Sequence, residues 1–221
     1  MQRKRIALIA MAIFLPVAGL EAHAYEDGDF QVWHTEEQEF NLSKGWKMPV
    51  QEEFRYGGNA GELYYHHYDA GLAYDVNRNL TVGAFYRQIY EGENGKFKPE
   101  YQPHIDATPK WEIYGFRFEN RNRLDYKLYD DRREDKLQYR NRILMRLPWK
   151  FTSFNIQPYA SNEVFFWLNG AVFRRDRFDA GVSIDLVKHL KGEVYYRLQS
   201  TKKSGRWTDY NILGMKLKVS F

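Results

Sequence analysis

The stretch Leu213-Gly214-Met215-Lys216-Leu217-Lys218-Val219-Ser220-Phe221 decides the fold, because every second residue is apolar and the others are glycine, lysine or serine. A period of two puts the two sets on opposite faces of an extended strand, whereas a helix would mix them. The alternation recurs upstream. Phe178, Ala180, Val182, Ile184 and Leu186 alternate with Arg177, Asp179, Gly181, Ser183 and Asp185, and a short turn at Val187-Lys188-His189 leads into a strand over 190–199. Over 135–147, Leu137, Tyr139, Ile143, Met145 and Leu147 lie opposite Lys136, Gln138, Arg140, Arg142 and Arg146, before a turn at Pro148. Ala70, Leu72, Tyr74 and Val76 run into Asn77-Arg78-Asn79 and resume at Leu80, Val82, Ala84 and Tyr86. Hairpins that gather their charges on one face are the building unit.

Further strands are predicted over 30–42, 46–56, 111–126 and 151–168, with longer connections over 92–109, 129–134, 169–173 and 200–206. Taking 111–126 as one strand gives ten strands but puts the long 92–109 connection at the short-turn end. A turn near Tyr114-Gly115 restores the sidedness and makes eleven. Single-chain bacterial barrels normally have an even count, so either the N-terminal segment is not one simple strand or it contributes a twelfth. The expected fold is all-β: a closed antiparallel transmembrane β-barrel, a meander of ten to twelve strands in one domain over 25–221, without linker or internal repeat beyond the hairpin. Several runs reach the ~9 to 11 residues that cross a bilayer at a tilt. A soluble periplasmic lipocalin-like binding barrel, the competing fold, has strands nearer ~5 to 6 residues and turns its polar face to water. Trp46, Trp111, Trp149 and Trp207 near run ends suit interfacial girdles.

The compartment is read from the other end of the chain. Arg3-Lys4-Arg5 precede an apolar run from Ile6 to Leu20, and Ala22-His23-Ala24 follows with small residues where a signal peptidase reads. The run contains Pro16 and falls short of the ~20 apolar residues of a spanning helix. Residues 1–24 are therefore expected to be a cleaved signal peptide, and the mature chain to begin at Tyr25. No other stretch is long and apolar enough for a spanning helix, so a membrane form must use strands. The chain holds 17 Tyr, 15 Phe and 6 Trp but no Cys, which removes disulfides and thiolate metal sites. Its net charge of +4 falls to +2 without Arg3, Lys4, Arg5 and Glu21, too balanced to point to nucleic acid. A mean hydropathy of -0.69 is compatible with a barrel, whose lumen face dilutes its apolar one.

With leader, hairpins and terminal strand in hand, the sequence resembles an uncharacterised family of bacterial outer-membrane β-barrels classed as a domain of unknown function. The carriers are Asp29-Phe30-Gln31-Val32-Trp33, the turn region Leu72-Ala73-Tyr74-Asp75-Val76-Asn77-Arg78-Asn79-Leu80, Tyr86-Arg87, and Arg121-Asn122-Arg123-Leu124 followed by Tyr139-Arg140-Asn141-Arg142. The last strand is also similar to the signal read by the outer-membrane assembly machinery: Gly214, Leu217, Val219 and Phe221 fall on its spacing, while Ile212 stands where that signal usually has a polar residue. The resemblance implies the outer membrane of a Gram-negative bacterium, with lipid, lipopolysaccharide and the assembly machinery as partners. It implies no reaction, ligand or cofactor.

The cluster that stands out for function is the inward face of two neighbouring strands: Arg117, Glu119, Arg121, Arg123 and Asp125 on one, Lys136, Arg140, Arg142 and Arg146 on the next. A hairpin pivoting between Asp131 and Arg132 sets Arg121 opposite Arg142 and Arg123 opposite Arg140, and like charges so placed repel. Acidic partners are expected from other strands by the same parity: Glu53, Asp69, Asp75, Asp179, Asp185 and Glu193. The result is either a structural ion-pair network or a narrow polar, anion-binding pore. Asn122 falls opposite Asn141 on the lipid-assigned face, where polar groups need partners. A lipid hydrolase, of phospholipase or lipid A deacylase type, is the alternative from another class. His34, His66, His67, His104 and His189 and serines such as Ser153, Ser161 and Ser183 are present, but no G-x-S-x-G elbow. His66 and His67 point to opposite faces of a strand, so no metal site is assigned there.

Overall fold

The computed structural model describes residues 25–93, 95–131, 133–203 and 205–221, so the expected leader over 1–24 lies outside the described residues. Eleven strands succeed one another: β1 (Asp29–Ser43), β2 (Trp46–Gly57), β3 (Glu62–Asn77), β4 (Leu80–Glu93), β5 (Lys96–Ile113), β6 (Phe116–Tyr129), β7 (Lys136–Arg146), β8 (Gln157–Trp167), β9 (Val172–Val187), β10 (Leu190–Lys203) and β11 (Arg206–Ser220). Each pairs with the next, and β1 with β11 closes the barrel. The all-β closed meander is as the alternation requires.

Ten of the neighbouring pairs are antiparallel. The exception is the closure, where β1 and β11 run parallel from Asp29 beside Tyr210 to Glu39 beside Ser220. An odd meander leaves its first and last strands pointing the same way, so the seam has no other choice. The expected even count gives way here: β1 is one simple strand, and no twelfth exists among the described residues. Inside the barrel the seam is stitched by ion pairs. Lys216 Nζ reaches Glu37 at 2.5 Å, and Lys218 Nζ lies 2.9 Å from both Glu37 and Glu39. At its end Phe221 stacks on Phe40 with ring centroids 5.1 Å apart, and its carbonyl accepts bonds from the Asn41 backbone and side chain.

β5 corrects the largest error of the sequence reading, which made a connection of 92–109. Its polar Lys98, Glu100, Gln102, His104 and Asp106 alternate with Pro99, Tyr101, Pro103, Ile105 and Ala107. Proline has no N–H to give a ladder, which argues against a central strand. Here Pro99, Pro103 and Pro109 share one parity, and successive residues of a strand bond to opposite neighbours. The ladder with β4 is unbroken from Lys96 to Pro109, whereas the ladder with β6 skips Gln102-Pro103 and Thr108-Pro109. The cost of the prolines is thus confined to one side of the strand.

The turn expected at Tyr114-Gly115 is present, with φ of 51° and 80° at the two residues, the pair of positive values that marks a type I′ hairpin turn. Connections at this mouth, which also carries Phe221, are tight at 44–45, 78–79 and 188–189; only 147–156 is longer. That segment was expected to begin a strand. It forms a loop closed by a bridge between Phe151 and Ile156, with Trp149, Phe151 and Phe154 exposed. At the opposite, N-terminal mouth the strands end and resume at Gly57 and Glu62, Glu93 and Lys96, Tyr129 and Lys136, Trp167 and Val172, and Lys203 and Arg206, so most of the connection expected at 200–206 is strand.

The barrel inverts the usual distribution of polarity. Ile105 is 57% exposed and Phe178 46%, while Arg87 and Arg177 in the lumen are 8% and 5% exposed. The outer wall is apolar around most of its circumference. The Asn122–Asn141 juxtaposition on that wall is real and is resolved locally: Asn141 Nδ2 donates to Asn122 Oδ1 at 3.0 Å and Asn120 Oδ1 at 2.7 Å, and the Tyr139 hydroxyl donates to Asn122 Oδ1 at 2.7 Å.

Candidate functional site: the charged lumen

The lumen is built from one parity of every strand. β6 and β7 pair as expected, Arg121 beside Arg142 and Arg123 beside Arg140. Of the proposed acidic partners, Glu53 bonds Arg55, Asp69 bonds Arg87, Asp75 bonds Lys47, Asp179 bonds Arg197, Asp185 bonds Lys191 and Glu193 bonds Arg146. All six are therefore paired. Only Glu193, however, reaches the basic wall that the partners were needed for.

The wall is anchored by two carboxylates that sequence reasoning missed. Glu163 on β8 receives Arg121 at 2.6 Å, Arg140 at 2.9 Å and Arg177 at 3.5 Å. Asp106 on β5 holds Arg123 through two bonds of 2.7 Å. Asp106 was hidden by the misread connection. Glu163 stands in Gln157-Pro158-Tyr159-Ala160-Ser161-Asn162-Glu163-Val164-Phe165-Phe166-Trp167, where aromatic residues occupy the lumen parity and blur the alternation.

Those aromatics explain how so many guanidiniums share one waist. Arg55 lies between Trp33 and Tyr65, 3.8 Å from each ring centroid. Arg197 and Arg177 approach the same Trp33 at 4.9 and 5.0 Å, and Arg140 and Arg177 flank Phe165 at 4.6 and 4.7 Å. A π face is an electrostatic partner that carries no charge of its own. Trp33 is fully buried with Ile212 and Tyr210 beneath it. Ile212, the departure from the terminal-strand pattern, thus supports the waist. Gly214 faces the lumen too, and a side chain there would overlap the Tyr195 ring. Leu217, Val219 and Phe221 lie on the opposite, outward parity.

The waist divides the lumen into two cavities. One of about 410 Å³ opens toward the N-terminal mouth; one of about 680 Å³ extends toward the C-terminal mouth. Arg55, Arg87, Arg140 and Arg177 border both, and each is at least nine-tenths buried. The larger cavity is bordered by sixteen basic and eight acidic side chains. The remaining wall residues take separate positions. Arg117 donates to Gln157 Oε1 at 2.7 Å, and Glu119 borders the larger cavity with no ion pair among the described residues. Asp125, fully buried, makes one ion pair among the described residues, with Arg140 at 3.7 Å. Lys136 does not join the cluster: it bonds Glu134 near the N-terminal mouth and borders neither cavity.

His66 and His67 lie on opposite faces as expected. His66 stacks on Tyr90 outside, and His67 is 2% exposed inside. No serine hydroxyl bonds a histidine among the described residues; Ser161 instead donates to Asp179 Oδ2 at 3.1 Å.

These features define a class: a closed barrel with an apolar wall and a lumen occluded by arginine–carboxylate and arginine–aromatic pairs. Within it, the chain belongs to the family described as protein of unknown function (DUF2490), whose profile matches residues 30–211, from the start of β1 into β11. No curated protein and no solved structure matches the chain.

Proposed function

We propose that this protein is an outer-membrane barrel of a Gram-negative bacterium whose lumen is a charged binding cup, closed at the waist, and not a passage. Export would follow cleavage after Ala24, and assembly would begin from β11. The outward parity supports the membrane: strands of 11 to 18 residues reach or exceed the crossing length, and the wall they present is apolar except on β1 and β2, where His34, Glu36, Gln38 and Glu52 lie on the outward parity. A soluble carrier barrel would need the opposite wall. Aromatic residues at both ends, such as Trp111 and Trp149 at one and Trp207 at the other, match interfacial girdles.

The observation that carries the cup reading is the buried quartet of Arg55, Arg87, Arg140 and Arg177 between two separate cavities. A route for ions would have to break several paired, desolvated charges at once. In planar bilayers the refolded protein is expected to show no ohmic steps, and an Arg55→Ala/Arg177→Ala double variant to show them. Stable steps from the wild type would sink the cup. Recovery of the processed protein in a detergent-free soluble fraction would sink the membrane.

A further inference from the structure

We propose that the cavity at the C-terminal mouth binds a phosphorylated sugar, with the phosphate held between Arg121 and Arg142. The proposal rests on the cup reading, which makes this cavity a dead end open at one mouth.

The two arginines sit in register on β6 and β7, an arrangement that repels unless an anion intervenes. The carboxylate in register with Arg142 on β8, Glu163, is bonded by Arg121, Arg140 and Arg177 instead of by Arg142. Arg142 forms no hydrogen bond or ion pair among the described residues. The Nε atoms of both Arg121 and Arg142 are buried without a hydrogen-bond partner. Most other guanidiniums of the lumen are matched to a carboxylate or a ring, whereas these two adjacent ones keep donors unspent, Arg121 beside its bond to Glu163 and Arg142 with no bond at all among the described residues. A tetrahedral oxyanion accepts two parallel N–H bonds from such a fork, which makes phosphate the fitting complement.

The positive excess continues to the mouth. Arg117 and Lys110 spend their donors on neutral oxygens, those of Gln157 and Thr81, and Lys150 is exposed on the 147–156 loop. A volume of about 680 Å³ is far more than one phosphate fills and lies within the ~300–1,000 Å³ of small-molecule sites. The same cavity offers the Glu119 carboxylate and the Tyr159 hydroxyl. These acceptors repel a polyanion but suit the hydroxyls of a sugar, so one phosphate on a polyhydroxylated body satisfies both parts of the wall.

Such a phosphate could come from a dissolved solute or from the phosphorylated sugar headgroup of a lipid, and two arms of one experiment separate them. The folded barrel in detergent is titrated calorimetrically at constant ionic strength with glucose 6-phosphate, inorganic phosphate and glucose. It is titrated again with glucose 6-phosphate in nanodiscs with and without lipid A. The expected result is saturable binding of glucose 6-phosphate, weaker binding of inorganic phosphate and none of glucose. Arg121→Gln and Arg142→Gln should each weaken it on the order of tenfold or more, and Lys136→Gln should leave it unchanged. Arg142→Lys, which keeps the charge and loses the fork, should lose part of the affinity; heat-modifiable gel mobility checks that each variant is folded. Loss of binding only in lipid A nanodiscs assigns the site to the lipid headgroup, and persistence assigns it to the solute. No saturable heat with either phosphate probe, or the same affinity in Arg142→Gln and wild type, overturns the proposal. Conductance is read separately, so the cup and the site can fail independently.

Discussion

The waist and the vestibule, the larger cavity between it and the C-terminal mouth, use the same side chain for opposite ends. At the waist Arg87 has Asp69, Arg197 has Asp179 and Arg55 has both Glu53 and two rings, so each guanidinium is desolvated and compensated. In the vestibule Arg142 borders open volume without a partner among the described residues. A buried charge without compensation costs several kcal/mol, whereas one that keeps water costs little. Arg142 is therefore told apart from the arginines that hold the barrel shut by its lack of a partner, and not by its position along the strand; Arg121 bridges the two regions, bonded to Glu163 and in register with Arg142.

Glu163 joins the two regions, and removing it should have the largest effect. Glu163→Ala strips the carboxylate from Arg121, Arg140 and Arg177 together. Loss of one partner of a buried pair costs about 3–5 kcal/mol, and here three cations lose theirs. Urea unfolding of the refolded barrel, followed by tryptophan fluorescence, should show a fall of at least that size. A change under about 1 kcal/mol, the range of exposed ion pairs, would mean that the waist is wet and that its difference from the vestibule is not real.

How much of this was legible in the sequence follows from the same physics. β11, β9 and β7 read cleanly because one parity is aliphatic and the other polar, and the β6–β7 register followed from a single hairpin. β5 was lost because three prolines signal a loop, and only the three-dimensional ladder shows that they share one bonding side. β8 was placed but not phased, since Tyr159, Phe165 and Trp167 lie on the lumen parity that the pattern reserves for polar residues. The central carboxylates Asp106 and Glu163 belong to these two strands. The basic half of the site could be read, and with it Glu193 and Asp125, but the two central acids that neutralise it could not. The parallel seam is set by strand count alone, which rested on the turn at Tyr114-Gly115.

The asparagine cluster on the outer wall supplies a neutral counterpart to the waist. Asn120, Asn122, Asn141 and Tyr139 satisfy one another without net charge. Asn141→Leu removes a donor shared by the Asn120 and Asn122 side-chain oxygens, which keep Asn122 Nδ2 and the Tyr139 hydroxyl, and should cost about 0.5–1.5 kcal/mol, the net worth of a hydrogen bond. Replacing Asn120, Asn122 and Asn141 all by Leu with Tyr139→Phe should recover most of it, because no polar group is then left unpaired. Equal losses in the single and the quadruple variant would show that the cluster serves a contact outside the barrel.

Arg142 should give the smallest change, and its sign matters most. Arg142→Met keeps the length of the side chain, removes a cation that faces Arg121 across the hairpin, and breaks no ion pair among the described residues. Opposed like charges destabilise by up to about 1 kcal/mol, so unfolding at low salt should show no loss, or a gain of that size that shrinks as salt screens the repulsion. A loss of 3 kcal/mol or more would place Arg142 with the waist arginines, as a structural group with a partner of its own. A stabilising result marks it as a residue retained at a cost to folding and a neutral one as a residue folding does not need, and either is what a binding group in a largely compensated lumen should be.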